Sequence, residues 1–195
     1  MKNTKRIASL FIIFAGVVTS SHAEVRVYTH NKKYLVSGRS IAKIRQDIRY
    51  SGLKDAHGYT FAAKTTPKFT WKYKFALSDG KCFIKSVDID VSIKYELPEL
   101  DNYAELSNSD KAIWDKYSAA LYKHEQGHAQ YSIDAAKEIE RTAVSIAPKD
   151  SCGEVGRTAN MLANNIFSEH NNDNLAYDTH TNHGEEQGAS LIASQ

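Results

Sequence analysis

Two histidines four residues apart, His124 and His128, lie with Glu125 in the sequence Leu-Tyr-Lys-His-Glu-Gln-Gly-His-Ala-Gln-Tyr at residues 121–131. Helical residues turn by about 100° each, so positions four apart point in nearly the same direction. Both imidazoles can therefore bind one metal ion, and Glu125 lies beside that ion. This is the logic of the His-Glu-x-x-His motif, in which the histidines bind zinc and the glutamate takes a proton from a water on the metal.

The spacing of apolar residues places this motif on a buried helix face. The stripe formed by Ile113, Tyr117 and Leu121 continues through His124 and His128 when it is extended by threes and fours. A catalytic zinc site needs such enclosure, because a dry and shaped cavity holds its geometry.

Two histidines do not complete a zinc site, since a catalytic zinc usually has three protein ligands and one open position. In one known continuation of the motif a glycine turns the chain and a third histidine follows, but Tyr131 and Asp134 hold those places here. We expect the helix to continue, so that Asp134 points to another face. Glu138 lies ten residues past His128, about 15 Å along the axis. The third ligand must come from a later segment.

Such a segment lies at residues 177–189, which contain Tyr177, Asp178, His180 and His183. The last 25 residues are polar and rich in Asn, His and Gly, and we expect them to be irregular. Composition alone is also typical of a disordered polar terminus. Gly127 costs up to about 1 kcal/mol in a helix interior relative to alanine. We expect the tail, or the backbone of a substrate, to approach the helix closely there.

The elements that position these residues change character near the middle of the chain. Alternating apolar and polar residues predict strands in the first half, with Ser40 capping a short helix at 41–49 and a turn at residues 78–80. The strands are predicted at 24–29, 33–37, 69–76 and 82–95, with a loop at 54–68 and Pro98 ending the last strand. The last two strands form an antiparallel hairpin.

Helical spacing dominates the second half. A long helix is predicted to begin after a cap among residues 107–109, to carry the histidine motif and to end near Ile146, before Pro148. A second helix is predicted from Gly153 to Phe167. Antiparallel strands with a short helix, followed by two helices, give an α+β fold.

Residues 1–23 have the pattern of a secretory signal peptide. A basic start with Lys2, Lys5 and Arg6 precedes an apolar run at 7–18 and a small-residue site at Ala23. The run is too short for a convincing membrane span. We therefore expect an exported protein, periplasmic or secreted, with no stable membrane anchor after cleavage.

Charge argues against nucleic acid as a partner. The 25 basic and 23 acidic residues give a formal charge of +2, but residues 1–23 contain three basic residues and no acidic one, so cleavage leaves a charge of −1. The basicity is thus a targeting feature rather than a binding surface.

Cys82 and Cys152 are the two cysteines of the chain. In an exported protein an isolated pair most often forms a disulfide. Closing a loop of about 70 residues would contribute roughly 4 kcal/mol in the chain-entropy model.

Several of these features together resemble a bacterial family of unknown function whose members are predicted to be secreted zinc-dependent proteases. The resemblance covers essentially the whole mature chain, and the helix and tail motifs are its most specific parts. It is carried by Trp71-Lys-Tyr73, Cys82, Pro98, Trp114, His124-Glu-Gln-Gly-His128, Cys152 and Tyr177-Asp178-x-x-Thr181-x-His183-Gly184-x-x-Gln187-Gly188-Ala189.

The resemblance implies a single zincin-like metallopeptidase domain over residues 24–195, with Zn²⁺ as cofactor and a peptide or protein as substrate. His183 holds a fixed position in the family's tail pattern and His180 a variable one. The resemblance therefore implies His183 as the third ligand beside His124 and His128.

Further roles follow within this resemblance. Glu125 would activate the water and pass its proton to the leaving amine, and Tyr177 would donate a hydrogen bond to the developing oxyanion. Asp178 would orient a ligand histidine, or would itself be the third ligand, as an aspartate is in some zincins. His180 competes for the ligand or the oxyanion role. Gly184 and Gly188 would allow turns that bring the tail back over the helix.

Two other functions fit the sequence. One is a non-catalytic metal-binding or interaction protein of the cell envelope that keeps a zincin-like site for its structure. A structural site needs no base beside it, so Glu125 separates this function from catalysis. The other is an envelope protein with a partner surface on the hairpin at 69–95. Aromatic alternation at Trp71 and Tyr73 favours core packing instead.

Overall fold

Residues 24–191 are described by a computed structural model, and the predicted signal peptide at 1–23 lies outside them. Strands come first and long helices after, so the α+β prediction is confirmed. The strands are β1 Glu24–Val36, β2 Leu53–Lys54, β3 Thr60–Phe61, β4 Lys64–Ser78 and β5 Lys81–Leu100. The helices are α1 Ile41–Ser51, α2 Asn108–Val144 and α3 Cys152–Thr181, with 3₁₀ turns at Tyr103–Glu105 and Glu185–Gln187.

The main sheet has the order β1–β5–β4, with β5 in the centre. β4 and β5 form the predicted antiparallel hairpin, and its turn has left-handed backbone at Asp79 (φ 51°) and Gly80 (φ 73°). β1 instead runs parallel to β5 along its whole length. Parallel pairing needs a long connection, which α1 and β4 provide.

The strand boundaries differ from the prediction in three places. Residues 24–29 and 33–36 belong to one continuous strand, β1, and Ser37 follows its end. Residues 54–68, expected to be a loop, contain β3 and the beginning of β4. Pro98 does not end β5, which continues to Leu100. Pairing with β4 stops at Glu96, so Pro98 has a neighbouring strand on one side only, a position that tolerates proline.

α2 is the predicted long helix and carries the histidine motif near its middle. The Ser107 side chain caps it by accepting a hydrogen bond from the Asp110 N–H. His124 and Glu125 are buried on its inner face. The motif therefore lies on the stripe that the apolar spacing predicts.

α3 begins where predicted but continues 14 residues beyond Phe167, to Thr181. The tail expected to be irregular is therefore helical over much of its length. Residues 157–183 contain no glycine or proline, so nothing in them stops a helix. The helix ends instead at Asn182, whose left-handed backbone (φ 46°) caps it. No helix among residues 24–191 combines the length and apolar character that a membrane crossing requires.

Two groups of buried apolar side chains share α2. In the first, the inner face of β5 packs against small residues of α2 and α3, among them Ala136, Ala159 and Ala163. In the second, α1 packs on the N-terminal part of α2 around Trp114. Residues 124–128 lie along α2 between the side chains that it gives to the two groups. The candidate site is thus fixed by the core on both sides.

The aromatic face of the hairpin packs inward, as its alternation predicts. The rings of Phe69 and Trp71 lie against Phe167 of α3, with centroid distances of 4.6 and 5.7 Å. These contacts hold the middle of α3 on β4.

Cys82 and Cys152 form the predicted disulfide, with Cα atoms 5.1 Å apart. It joins the beginning of β5 to the first residue of α3. Beside it, Cys82 and Lys149 exchange two backbone hydrogen bonds of 2.8 and 2.9 Å. The N-terminal end of α3 is therefore firmly attached to the sheet.

Candidate metal centre

His124 and His128 lie one turn apart on the buried face of α2, and their rings meet edge to face with centroids 4.6 Å apart. Their Nε2 atoms are 3.1 Å from each other. The side chain of His124 is 3% exposed and that of His128 12%. The helical spacing thus brings two imidazole nitrogens together in a largely buried space.

Asp178, in the last turn of α3, brings a carboxylate to the same point. Its Oδ1 lies 3.1 Å from His124 Nε2 and 3.0 Å from His128 Nε2. The three atoms form a nearly equilateral triangle, which we call the ligand triangle. Neighbouring ligand atoms around a tetrahedral zinc are about 3.3 Å apart, given bonds of 2.0–2.1 Å. A slight expansion of the ligand triangle would fit such an ion.

The outer nitrogens of both imidazoles face amide oxygens. His124 Nδ1 lies 3.0 Å from Gln187 Oε1, and His128 Nδ1 lies 2.8 Å from Asn174 Oδ1. An amide oxygen can only accept a hydrogen bond, so in each neutral imidazole Nδ1 carries the proton and Nε2 presents a lone pair. Two nitrogen lone pairs and a carboxylate oxygen then converge, an arrangement that a bound cation would stabilise.

Proton binding at the ligand triangle follows from these contacts. Burial acts to raise the pKa of Asp178, but once a ring is protonated its Nε2–H donates to Asp178 Oδ1, and such hydrogen bonds from the two histidines hold the pKa of this carboxyl well below its usual range. Burial acts to lower the pKa of His128, but hydrogen bonds to Asp178 and Asn174 raise it above its ordinary value. Metal binding would therefore compete with protons at His128.

Glu125 is buried beside the ligand triangle, and its carboxylate, His124 and His128 offer ligand atoms within 4.8 Å of one another. Thr65, near the beginning of β4, donates its hydroxyl hydrogen to Glu125 Oε2 at 2.6 Å. Burial raises the pKa of Glu125, and the Thr65 hydrogen bond opposes part of that rise. The carboxylate is thus held in place and is more basic than an exposed glutamate.

The two tail histidines are placed differently from Asp178. His183 follows the end of α3, with its Nδ1 3.6 Å from Asp178 Oδ1 and its side chain 67% exposed. His180 is exposed and lies two helical positions past Asp178, about 200° around the helix. Because α3 continues through residue 178, it turns Asp178 towards α2 and leaves both histidines outside the ligand triangle.

Tyr177 was predicted to stabilise an oxyanion, but it is not among the residues that line the cleft beside the ligand triangle. The ring stacks on His124, with centroids 5.0 Å apart and planes 14° from parallel. The hydroxyl lies 3.1 Å from Gln187 Oε1 and 3.4 Å from the His124 carbonyl oxygen. It therefore faces the Nδ1 side of His124, and Tyr177 fixes the orientation of that ring.

Two glycines permit the close contact between the tail and α2. A Cβ at Gly127 would lie 2.7 Å from Tyr177 Cε1, and nearer still to its Cζ and hydroxyl. A Cβ at Gly184, where φ is 86°, would lie 2.9 Å from His124 Cγ. The close approach of the tail expected at Gly127 is thus present, and the Tyr177 ring makes it.

Three of the supporting residues were not predicted as site residues. Asn174 lies one helical turn before Asp178, a signal that the expected irregular tail concealed. Gln187 belongs to the tail motif, but the motif alone gives it no role. Thr65 carries no sequence signal, because its contact depends on how β4 packs against α2.

The ligand triangle opens into a cleft of about 940 Å³. Its walls come from α1, β3, the beginning of β4, α2 and the tail, and Glu125 lines it together with the three ligand residues. A cleft of this volume accepts a ligand much larger than a metal ion and a few waters.

Comparison of the chain with curated proteins and with solved structures finds no match. A family model described as bacterial protein of unknown function (DUF922) does match, over residues 31–184. That range extends from within β1 to the turn after α3, and it contains Glu125 and the whole ligand triangle. The chain therefore belongs to this bacterial family of unknown function.

Proposed function

We propose that this protein is an exported zinc-dependent metallopeptidase. The observation that carries the proposal is the ligand triangle of His124, His128 and Asp178, beside the buried Glu125 and open to a cleft. Imidazole and carboxylate are preferred zinc ligands, and catalytic zinc sites combine three protein ligands with one open position.

In this proposal Asp178 takes the place of His183 as the third ligand. Glu125 is also near both histidines, but its carboxylate is engaged by Thr65. Asp178 Oδ1 instead contacts both Nε2 atoms, and among residues 24–191 its other ion-pair contact is with His183. Thr65 holds Oε2 of Glu125, so in this proposal Oε1 of the same carboxylate acts as the base.

Zn²⁺ held by the ligand triangle would supply a Lewis acid, which makes water acidic near neutral pH and polarises a peptide carbonyl. Glu125 accepts a proton from the attacking water and then donates it to the nitrogen of the leaving amine. Its raised pKa suits both steps, because the carboxyl must hold the proton between them. Thr65 keeps the carboxylate oriented. His183 lines the cleft beside Asp178 and would donate a hydrogen bond to the carbonyl oxygen in place of Tyr177.

Export is part of the proposal because a disulfide persists in oxidising compartments. The signal-peptide pattern of residues 1–23 supports the same location. A non-catalytic metal-binding protein of the envelope is the competing function. A structural zinc fills its fourth position with a protein ligand, whereas the ligand triangle faces a cleft.

The test combines metal analysis with an assay on a peptide library, using residues 24–195 and Glu125→Gln. We expect one zinc per chain in both proteins, and at least about 100-fold slower cleavage by the variant, the usual contribution of a general base. Glu138→Gln is the control, because this α2 glutamate contacts His170 outside the cleft. Cleavage by Glu125→Gln at the wild-type rate, or a zinc-loaded wild type that cleaves no peptide, would contradict the peptidase function.

A further inference from the structure

One wall of the cleft is basic. Arg45 and Arg49 on α1 and Lys64 at the beginning of β4 line it, and all three are exposed. Within residues 24–191, none of these three side chains forms an ion pair with an acidic residue. Three positive charges therefore face the cleft without an acidic partner from the described part of the chain.

Folding does not account for this arrangement. Arg45 and Arg49 follow the buried Ile44 and Ile48, so they lie one turn apart on the same side of α1. Like charges at this spacing repel each other. The helix dipole favours Arg49 in the last turn, but it does not act on Arg45 in the middle of α1 or on Lys64 in a strand. A ligand of opposite charge would relieve the repulsion.

The acidic groups that line the cleft are already engaged. Asp55 accepts hydrogen bonds from the backbone N–H groups of its own loop, and Glu185 accepts one from the Asn182 side chain. Glu125 and Asp178 belong to the site itself. These hydrogen bonds fix the carboxylates without neutralising them, but none of the acidic groups is paired with the basic wall. Arg45, Arg49 and Lys64 therefore form a separate positive surface in the cleft.

The rest of the lining is largely apolar. Ile48, Phe61, Leu121 and Leu191 contribute to it together with the basic wall. A polyanion such as nucleic acid offers little to such a surface. A peptide offers both apolar side chains and, at an acidic residue or at its C-terminus, a carboxylate.

The geometry points to a substrate carboxylate as the ligand of Arg45, Arg49 and Lys64, so the cleft takes peptides with an acidic side chain or a free C-terminus on the α1 side of the cleaved bond. Arginine binds carboxylates through paired, charge-assisted hydrogen bonds, which also fix the register of the chain. This inference rests on the proposed peptidase function and names the substrate class of the same site.

The first experiment compares cleavage of a proteome-derived peptide library before and after chemical amidation of all its carboxyl groups. We expect amidation to reduce cleavage by wild type at least about tenfold, the effect of losing a charged hydrogen bond. The double variant Arg45→Gln/Arg49→Gln should cleave the native library as poorly as wild type cleaves the amidated one. Its KM should rise and its kcat should change little. Arg39→Gln, outside the cleft, is the matched control and should behave as wild type.

Product sequences distinguish the two carboxylate sources. An acidic residue at a fixed distance from the cleaved bond identifies a side chain, whereas cuts at a fixed distance from the peptide end identify the C-terminal carboxylate. Equal cleavage of native and amidated libraries overturns the inference. A double variant that cleaves both libraries as wild type does also overturns it. So does a double variant whose only defect is weaker retention on heparin, a polyanion, because the basic wall would then bind polyanions rather than peptide carboxylates.

Binding is measured separately, by retention of both libraries on immobilised, zinc-loaded Glu125→Gln. Retention of native but not amidated peptides, abolished by the added Arg45 and Arg49 substitutions, supports the carboxylate site even if wild type cleaves nothing. In that case the peptidase function fails and the binding inference stands. Equal retention of native and amidated peptides overturns the binding inference.

Discussion

The ring of Tyr177 in α3 occupies the space in which a side chain at position 127 of α2 would lie. The same ring stacks on His124. The glycine inside the histidine motif is therefore required by the helix that supplies Asp178, and the two halves of the site are matched to each other in shape.

Gly127→Ala should displace Tyr177 and weaken both folding and metal binding. Overpacking of this kind costs about 1–3 kcal/mol, more than the gain of up to about 1 kcal/mol from replacing glycine in a helix. Thermal unfolding and a zinc competition assay measure the two effects. Gly156→Ala is the control, because its Cβ would meet only an ordinary contact of 3.5 Å with Phe75 and should not destabilise the fold. A Gly127→Ala protein with wild-type stability and zinc affinity would contradict this account.

Asp178→Asn should weaken zinc binding far more than His183→Ala. The asparagine keeps the size of the side chain but loses the charge that contacts both Nε2 atoms. For Asp178→Asn we expect the Kd for zinc to rise by more than the roughly 10–100-fold that is typical of losing a residue hydrogen-bonded to a metal ligand. For His183→Ala we expect a rise of less than about tenfold. Competition with a chelating dye at fixed pH measures both. The opposite order of effects would restore His183 as the third ligand.

Thr65→Val should leave the zinc content unchanged and alter the pH profile of kcat/KM. The threonine hydroxyl lowers the pKa of Glu125, so its removal lets that pKa rise further. Glu125 must be ionised to accept a proton, so activity is lost on the acid side and the acid limb moves to higher pH. The neighbouring Thr66→Val is the matched control. An unshifted acid limb would show that Thr65 has no part in tuning Glu125.

Replacing both cysteines by serine should lower the free energy of unfolding by about 4 kcal/mol, since the bond closes a long loop. Urea unfolding with and without reductant measures the loss, and the variant should be insensitive to reductant. Wild type in reductant should match the variant. A wild type whose unfolding does not respond to reduction would place the stabilising effect elsewhere.

The α2 half of the site could be predicted because helical spacing alone brings His124, Glu125 and His128 to one buried face. The α3 half could not, because asparagine-rich composition suggested an irregular tail. The absence of glycine and proline from residues 157–183 was the better signal, and with it Asn174 and Asp178 fall one turn apart on one face.

The hairpin and the α+β class could likewise be predicted from alternation and turn residues. The parallel position of β1 could not, because pairing direction depends on the path of the chain between strands. Thr65 and Tyr177 belong to the same category, since their contacts arise only when β4 and α3 pack against α2.

α3 is attached to the rest of the protein close to both of its ends, by Cys152 at its first residue and by Asp178 in its last turn. The disulfide is already a cross-link, and zinc bound by the ligand triangle would add a second one of different chemistry: a reductant opens the first and a chelator the second. Faster amide hydrogen exchange in α3 would then begin at its N-terminal end after reduction and at its C-terminal end after chelation. If the ligand triangle binds zinc as proposed, the lifetime of the protein among proteases would follow the zinc supply, because loss of the metal would loosen the C-terminal attachment of α3 and expose that segment to digestion.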